Sequence, residues 1–286
     1  MIYPFLIFLA VSQVVVPLCA GVFYLVRLMA TNPELIYDFG ALNKALLEWM
    51  MQNALILTMM SQLLCLAPLI PIWMVMRRTM PLFGRKSKPV TFGLLAVPAF
   101  FGLSLLIGLL LSFVDVGETY EALETILTSG SVVLRFFTLA VVAPVVEELC
   151  FRGIILGRSL SWLRPGAAIF FQAALFGVGH MNLVQGLYAF VLGAMFGYLY
   201  FRFRSLWLCM LGHFSFNLPS VVMTIIQDTG AEIPLYWILI PGVVMLTAAF
   251  FLYRLPAAVP VTVFGPQRFP PGGAQPVQPL GPPPQM

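Results

Sequence analysis

Long apolar runs dominate the chain, and short segments between them hold almost all of its charges. A helix needs about 20 consecutive apolar residues to cross a bilayer. By this measure the sequence predicts an all-α fold, a polytopic bundle of about eight transmembrane helices. The predicted spans cover residues 3–28, 51–76, 91–114, 132–157, 166–182, 184–201, 206–226 and 236–253.

The segments between these spans alternate in charge. Segments 77–88, 158–164, 202–204 and 254–268 hold Lys and Arg but no Asp or Glu, whereas the intervening segments hold most of the acidic residues. Cytoplasmic loops carry the Lys and Arg excess in membrane proteins. The alternation therefore predicts that both termini are cytoplasmic and that the protein is a multi-pass protein of the cell membrane.

Composition excludes several classes of protein. With 60% hydrophobic and 9% charged residues, the chain is too apolar for a soluble domain. A net charge of +4 without a clustered basic stripe argues against a nucleic-acid partner. The four cysteines show no CxxC spacing and are interpreted as small apolar residues. The first apolar run is too long for a signal peptide, so a retained span is expected.

Two further segments have simple interpretations. Residues 256–286 are rich in Pro, Gly and Gln, which predicts a disordered tail. Gly193 and Gly197 form a G-x-x-x-G pair in the sixth span, which permits close helix approach. We interpret this pair as internal packing rather than as a dimer interface.

Three ionisable residues lie deep in the fourth span: Glu147, Glu148 and Arg152. A charged side chain in the hydrocarbon layer is costly, so its default interpretation is functional. Glu148 and Arg152 are four residues apart and can pair on one helix face. Glu147 is then the unpaired carboxylate, suited to accept and donate a proton, although a purely structural ion pair explains the same residues.

Both histidines of the chain also lie inside predicted spans. Glu147 and His180 are equally far in sequence from the turn predicted at 162–165, so a regular hairpin places them at the same depth. His213 and Asn217 are four residues apart and share one face of the seventh span. The sequence therefore predicts that these four side chains converge in the membrane.

Such a group of side chains suits hydrolysis of an amide. Glu147 and His180 can activate a water molecule, while His213 and Asn217 can stabilise an oxyanion. The same four residues could instead bind Zn²⁺, because two imidazoles and a carboxylate are a known zinc set and Asn is a weak fourth ligand. The H-E-x-x-H pattern of ordinary zinc proteases is absent from the sequence.

Three ordered motifs resemble the CAAX prenyl protease and bacteriocin-processing family of intramembrane proteases. They are Glu147-Glu148-x-x-x-Arg152, Phe176-x-x-x-His180 and His213-x-x-x-Asn217, on the fourth, fifth and seventh spans. The resemblance covers about residues 132–226. It divides the chain into N-terminal helices at 1–131, a protease core at 132–226, a last helix at 227–255 and the tail at 256–286.

The resemblance implies that a membrane-associated peptide or protein, prenylated or carrying a leader sequence, is cleaved by activated water. It implies catalytic roles for Glu147, Glu148, His180, His213 and Asn217, supported by Arg152 and Phe176. Two other functions use the same residues. A proton-coupled transporter needs a buried proton path, but the sequence shows no inverted repeat. A scaffold or immunity protein would retain the residues without catalysis.

Overall fold

The computed structural model describes residues 2–76, 82, 89–118, 120, 123, 124, 126, 130–231, 234 and 236–255. The predicted tail at 256–286 lies outside the described residues, as does the basic segment at 77–88 apart from Leu82. Within the described part, the regular structure is entirely helical. The all-α prediction is confirmed.

We number the helices in chain order, and the short 3₁₀ turn Pro33–Tyr37 lies between the first two. Helix α5 is continuous over residues 132–159, although its turns vary in width. The bounds are α1 Tyr3–Thr31, α2 Phe39–Gln52, α3 Ala54–Met76, α4 Pro89–Leu111, α5 132–159, α6 Pro165–Gly179, α7 Leu183–Phe203, α8 Leu206–Asp228 and α9 Tyr236–Arg254.

Each of the eight predicted spans coincides with a helix. Among the described residues, six helices are long and apolar enough to cross a membrane. The other two predicted spans are α6, which is shorter, and α5, which carries the buried charges. Helix α2 was not among the predicted spans. It begins at Phe39, and the carboxylate of the preceding Asp38 accepts a hydrogen bond from the Ala41 N–H at 2.9 Å as an N-cap.

Proline widens the helices at two places. The π-helical turn Ala10–Val15 ends two residues before Pro17. The π-helical turn Phe136–Val142 likewise ends two residues before Pro144. A proline inside a helix lacks an N–H donor and clashes with the carbonyl four residues earlier. A wider turn relieves that clash. A third π-helical segment, Leu149–Leu156, contains no proline, and nothing in the structure explains it.

Small residues let α6 and α7 approach closely. A Cβ on Gly177 would lie 2.6 Å from the Gly186 carbonyl oxygen, and one on Gly193 would lie 3.0 Å from the Ala173 Cα. Any larger residue at these positions would push the two helices apart. The G-x-x-x-G pair at Gly193 and Gly197 therefore packs inside the chain, where Gly197 faces Gln172.

The N-terminal helix supports the back of α5. The rings of Phe5 and Phe8 pack edge-on against Phe151, with centroids 6.1 and 5.6 Å apart. All three side chains are buried in the main hydrophobic cluster. Helix α1 thus helps to bury the charged segment of α5, although it carries none of the three motifs.

Candidate active site

The site begins with an ion pair on α5. Arg152 Nη1 donates to Glu148 Oε1 at 2.8 Å, and both side chains are 0% exposed. The Arg152 guanidinium lies between two rings, 4.4 Å from the Phe176 centroid and 5.2 Å from that of Phe196. Burial of a charge is tolerated only when it is paired and packed in this way. The predicted pairing of Glu148 with Arg152 is present.

His213 of α8 lies between the two carboxylates. Its Nδ1 is 2.8 Å from Glu148 Oε1, and its Nε2 is 3.8 Å from Glu147 Oε2. Since a carboxylate accepts, Nδ1 carries the proton and Nε2 faces Glu147. The imidazole also stacks on Phe196, with an interplanar angle of 24° and 5.3 Å between centroids. Glu148 and Phe196 together fix the orientation of this ring.

His180 ends α6. Its Nδ1 is 2.7 Å from the Phe176 carbonyl oxygen, which can only accept, so Nδ1 is the protonated nitrogen and Nε2 is an acceptor. The next residue, Met181, has a positive φ of 56°, which stops the helix at this point. The imidazole also packs edge-on against Phe176, with centroids 4.8 Å apart.

The packing of α5 on α6 agrees with the predicted hairpin register. Phe151 and Phe176 are, like Glu147 and His180, equally far in sequence from the turn, and their ring centroids are 4.9 Å apart. Phe176 also contacts the His213 ring, at 5.9 Å between centroids. This one phenylalanine therefore contacts Arg152 and both histidines.

Asn217 is tied to the widened turn of α5. Its Nδ2 donates to the Leu139 carbonyl oxygen at 2.8 Å. The Ala143 N–H bonds to the Thr138 carbonyl instead, and Pro144 has no N–H, so the α5 backbone leaves the Leu139 oxygen for another donor. Asn217 supplies that donor, and its side-chain carbonyl and second amide hydrogen remain for the site.

Sequence reasoning missed several polar and aromatic contacts around these residues. Gln172 of α6 is fully buried, and its Nε2 donates to the Gly193 carbonyl at 2.6 Å. Arg152 Nη2 reaches the same oxygen at 3.4 Å. Arg135, near the start of α5, is also buried. An isolated amide inside the apolar α6 was the available signal for Gln172, whereas nothing in the sequence distinguishes Phe196 from the other phenylalanines.

The zinc site that the sequence allows stays a prediction. Within the described residues, no three His, Cys, Asp or Glu side chains converge as metal ligands would. The Nδ1 atoms of His180 and His213 are bonded to a backbone carbonyl and to Glu148, which leaves Nε2 as the nitrogen of each ring that a metal would use.

Residues 129–219 match the family model described as "Type II CAAX prenyl endopeptidase Rce1-like". This segment is therefore Rce1-like. The match confirms the resemblance to which the three motifs point, and it contains all seven predicted site residues.

A curated relative of Bacillus subtilis (strain 168), named "Putative membrane peptidase YdiL", is 28% identical over 109 residues. These residues are 38% of this chain and 45% of the relative, so the similarity spans less than half of either protein. No solved structure matches the chain. Together with the six apolar helices, the matches identify an integral, multi-pass membrane protein that contains an Rce1-like segment.

Proposed function

We propose that the protein is an intramembrane endopeptidase that cleaves a peptide bond in a membrane-associated substrate. The observation that carries this proposal is the position of His213 Nε2, 3.8 Å from Glu147 Oε2, while its Nδ1 is fixed by Glu148. A spacing of this size leaves room for a water molecule or a substrate oxygen to contact both groups. The names of the matched family and relative are both those of peptidases.

In the proposed reaction, Glu147 accepts a proton as water attacks the scissile carbonyl carbon. The Nε2 of His180, an acceptor in this tautomer, orients the same water. The amide of Asn217 donates to the oxyanion. His213 adds a second donor only when Nε2 also carries a proton, because the Nδ1 proton is bonded to Glu148. When the tetrahedral intermediate collapses, the C–N bond breaks and Glu147 returns its proton to the leaving amine.

Glu148 and Arg152 are assigned a positioning role. Both are fully buried, and the Oε1 of Glu148 is shared between Arg152 and His213. A carboxylate held in this way fixes the His213 tautomer and balances the guanidinium charge. This geometry favours positioning over direct proton transfer for Glu148.

The deciding experiment compares Glu147→Gln with Glu48→Gln in purified protein. In Glu147→Gln the side-chain amide keeps the shape of the carboxylate but cannot accept a proton, so cleavage should fall by about 10²-fold or more. Glu48 lies on the exposed surface of α2 in a pair with Lys44, and its variant should retain wild-type activity. Near-normal cleavage by Glu147→Gln, with thermal stability unchanged, would refute the assignment of the base.

The substrate class is tested with three peptides: a prenylated C-a-a-X peptide, its unprenylated counterpart and a leader-type membrane peptide. We propose that cleavage proceeds through Glu147 and the histidines alone, so a chelator should leave the rate unchanged. Loss of activity on chelation and recovery with added Zn²⁺ would establish a metal enzyme instead. If no peptide is cleaved but proton flux depends on Glu147, the transporter function replaces this proposal.

A further inference from the structure

A groove between α4, α7 and α9 shares no lining residue with the candidate active site, although its Phe100 contacts Phe196 at 4.6 Å between ring centroids. The groove has a volume of about 240 Å³ and is almost entirely apolar. Helices α4 and α9 approach closely beside it, where a Cβ on Gly102 would overlap the Pro241 carbonyl oxygen. Its apolar wall includes Phe100, Leu103, Met195, Leu199, Met245 and Leu252.

One cation lines this groove. Arg202, in the last turn of α7, donates to the Tyr198 hydroxyl at 2.9 Å and to the backbone carbonyls of Tyr253 and Leu255 at the end of α9. All of these partners are neutral. In the part of the chain that the structure describes, Arg202 forms no ion pair, although its side chain is only partly exposed.

Acidic side chains are absent from the segments expected near this arginine. The segments expected on the same side of the membrane, 77–88, 158–164, 202–205 and 254–286, contain neither Asp nor Glu. Arg254, exposed and adjacent to the carbonyls that Arg202 holds, adds a second positive charge. A partly buried guanidinium without a carboxylate attracts an anion from outside the chain.

Tyr198 adds a directed donor. Its oxygen accepts from Arg202, so its own O–H is available to an acceptor in the groove that it lines. An apolar channel with a guanidinium and a hydroxyl at one end matches a molecule with a hydrocarbon chain and an anionic oxygen group. In a bilayer, an anionic phospholipid has this structure.

We propose that the groove binds one anionic phospholipid, with an acyl chain between α4, α7 and α9 and its phosphate on Arg202 and Tyr198. The site bridges α7 to α9, which lies outside the matched residues 129–219. Occupancy of this site would hold the last helix against the Rce1-like segment. The proposal is independent of peptidase activity.

The proposed lipid site can be tested by native mass spectrometry of the full chain in detergent. The probes are phosphatidylglycerol and phosphatidylcholine with the same acyl chains. We expect one phosphatidylglycerol per chain, bound about 10-fold more tightly than phosphatidylcholine, because two arginines lie near its phosphate. Tyr198→Phe should reduce this preference several-fold, because it removes the hydroxyl donor. Equal affinity for the two lipids would overturn the proposal.

A matched pair of α9 variants tests where the phospholipid binds. Ala249 lines the groove, so Ala249→Trp should fill it and abolish tight binding of phosphatidylglycerol. Val243 is 64% exposed on the same helix but does not line the groove, so Val243→Trp should bind as the wild type does. Unchanged binding by Ala249→Trp, with folding verified by thermal unfolding, would also overturn the proposal. All of these measurements omit peptide substrate, so they stand whether or not the chain proves to be a peptidase.

Discussion

Two arginines on neighbouring parts of the bundle occupy opposite electrostatic environments. Arg152 is fully buried, bonded to the Glu148 carboxylate at 2.8 Å and enclosed by Phe176 and Phe196. Arg202 is also surrounded by aromatic rings, with the Tyr253 centroid 5.2 Å from its Cζ. Its hydrogen-bond partners, however, are a hydroxyl and two backbone carbonyls.

Because their partners differ, we assign Arg152 to positioning other side chains and Arg202 to binding a ligand. Around Arg152 the chain supplies its own anion, so the guanidinium can orient Glu148 and, through it, His213. Around Arg202 the described residues supply hydrogen-bond acceptors but no anion, so a positive field remains for a ligand. Removing each charge should therefore have a different consequence.

The largest loss of stability and activity is expected when Arg152 is replaced. Arg152→Met leaves the Glu148 carboxylate buried without its cation, which should cost about 3–5 kcal/mol of stability and abolish cleavage. Arg202→Met loses hydrogen bonds but strands no carboxylate, so its cost should be about 1–2 kcal/mol. Thermal unfolding of both variants in one detergent measures the difference.

A second substitution provides the control. In Arg152→Met, adding Glu148→Gln removes the stranded charge and should recover part of the lost stability, although not the activity. Arg152→Met with wild-type stability and a selective rise in KM would instead place this arginine in substrate binding.

A smaller loss of stability is expected when the hydrogen bond between Asn217 and α5 is removed. Asn217→Ala leaves the Leu139 carbonyl without its donor and should cost about 1–3 kcal/mol. Pro144→Ala provides a backbone N–H at the position where that carbonyl lacks one. The two substitutions should then be non-additive, with Asn217→Ala costing less in the Pro144→Ala background. Strict additivity in a thermal double-mutant cycle would show that the proline is not the reason for the bond.

The sequence predicted those parts of the site that depend on regular helical spacing. The four-residue interval of Glu148 and Arg152 determines their pairing, and equal distances from a turn determine how Phe151 meets Phe176. The apolar runs likewise determine where long helices form, and all eight predicted spans coincide with helices.

Two kinds of contact were not predictable in this way. One depends on an irregular helical turn, and the other depends on which of many phenylalanines packs against the site. The bond from Asn217 to Leu139 arises because a π-helical turn and Pro144 leave a carbonyl unused, which side-chain spacing does not reveal. Phe196 is one of 25 phenylalanines, and only the crossing of α7 over α5 and α8 selects it. Helix α2 was not predicted, because it is too short and too polar to be found as a span.

The smallest effects are expected for two phenylalanine substitutions on α7, which compare the candidate active site with the groove. Phe196 and Phe203 lie two turns apart on this helix, and both are fully buried. Phe196 stacks on His213, so Phe196→Leu should loosen the imidazole and lower kcat about 2- to 10-fold, the worth of one aromatic pair, with KM little changed. Phe203 lines the groove near Arg202, so Phe203→Leu should weaken phosphatidylglycerol binding and leave kcat unchanged. Each variant is thus the other's control for the loss of one buried ring. If both variants lower kcat equally and bind lipid equally, the two rings contribute only to general packing, and the separation between a positioning region and a binding region fails.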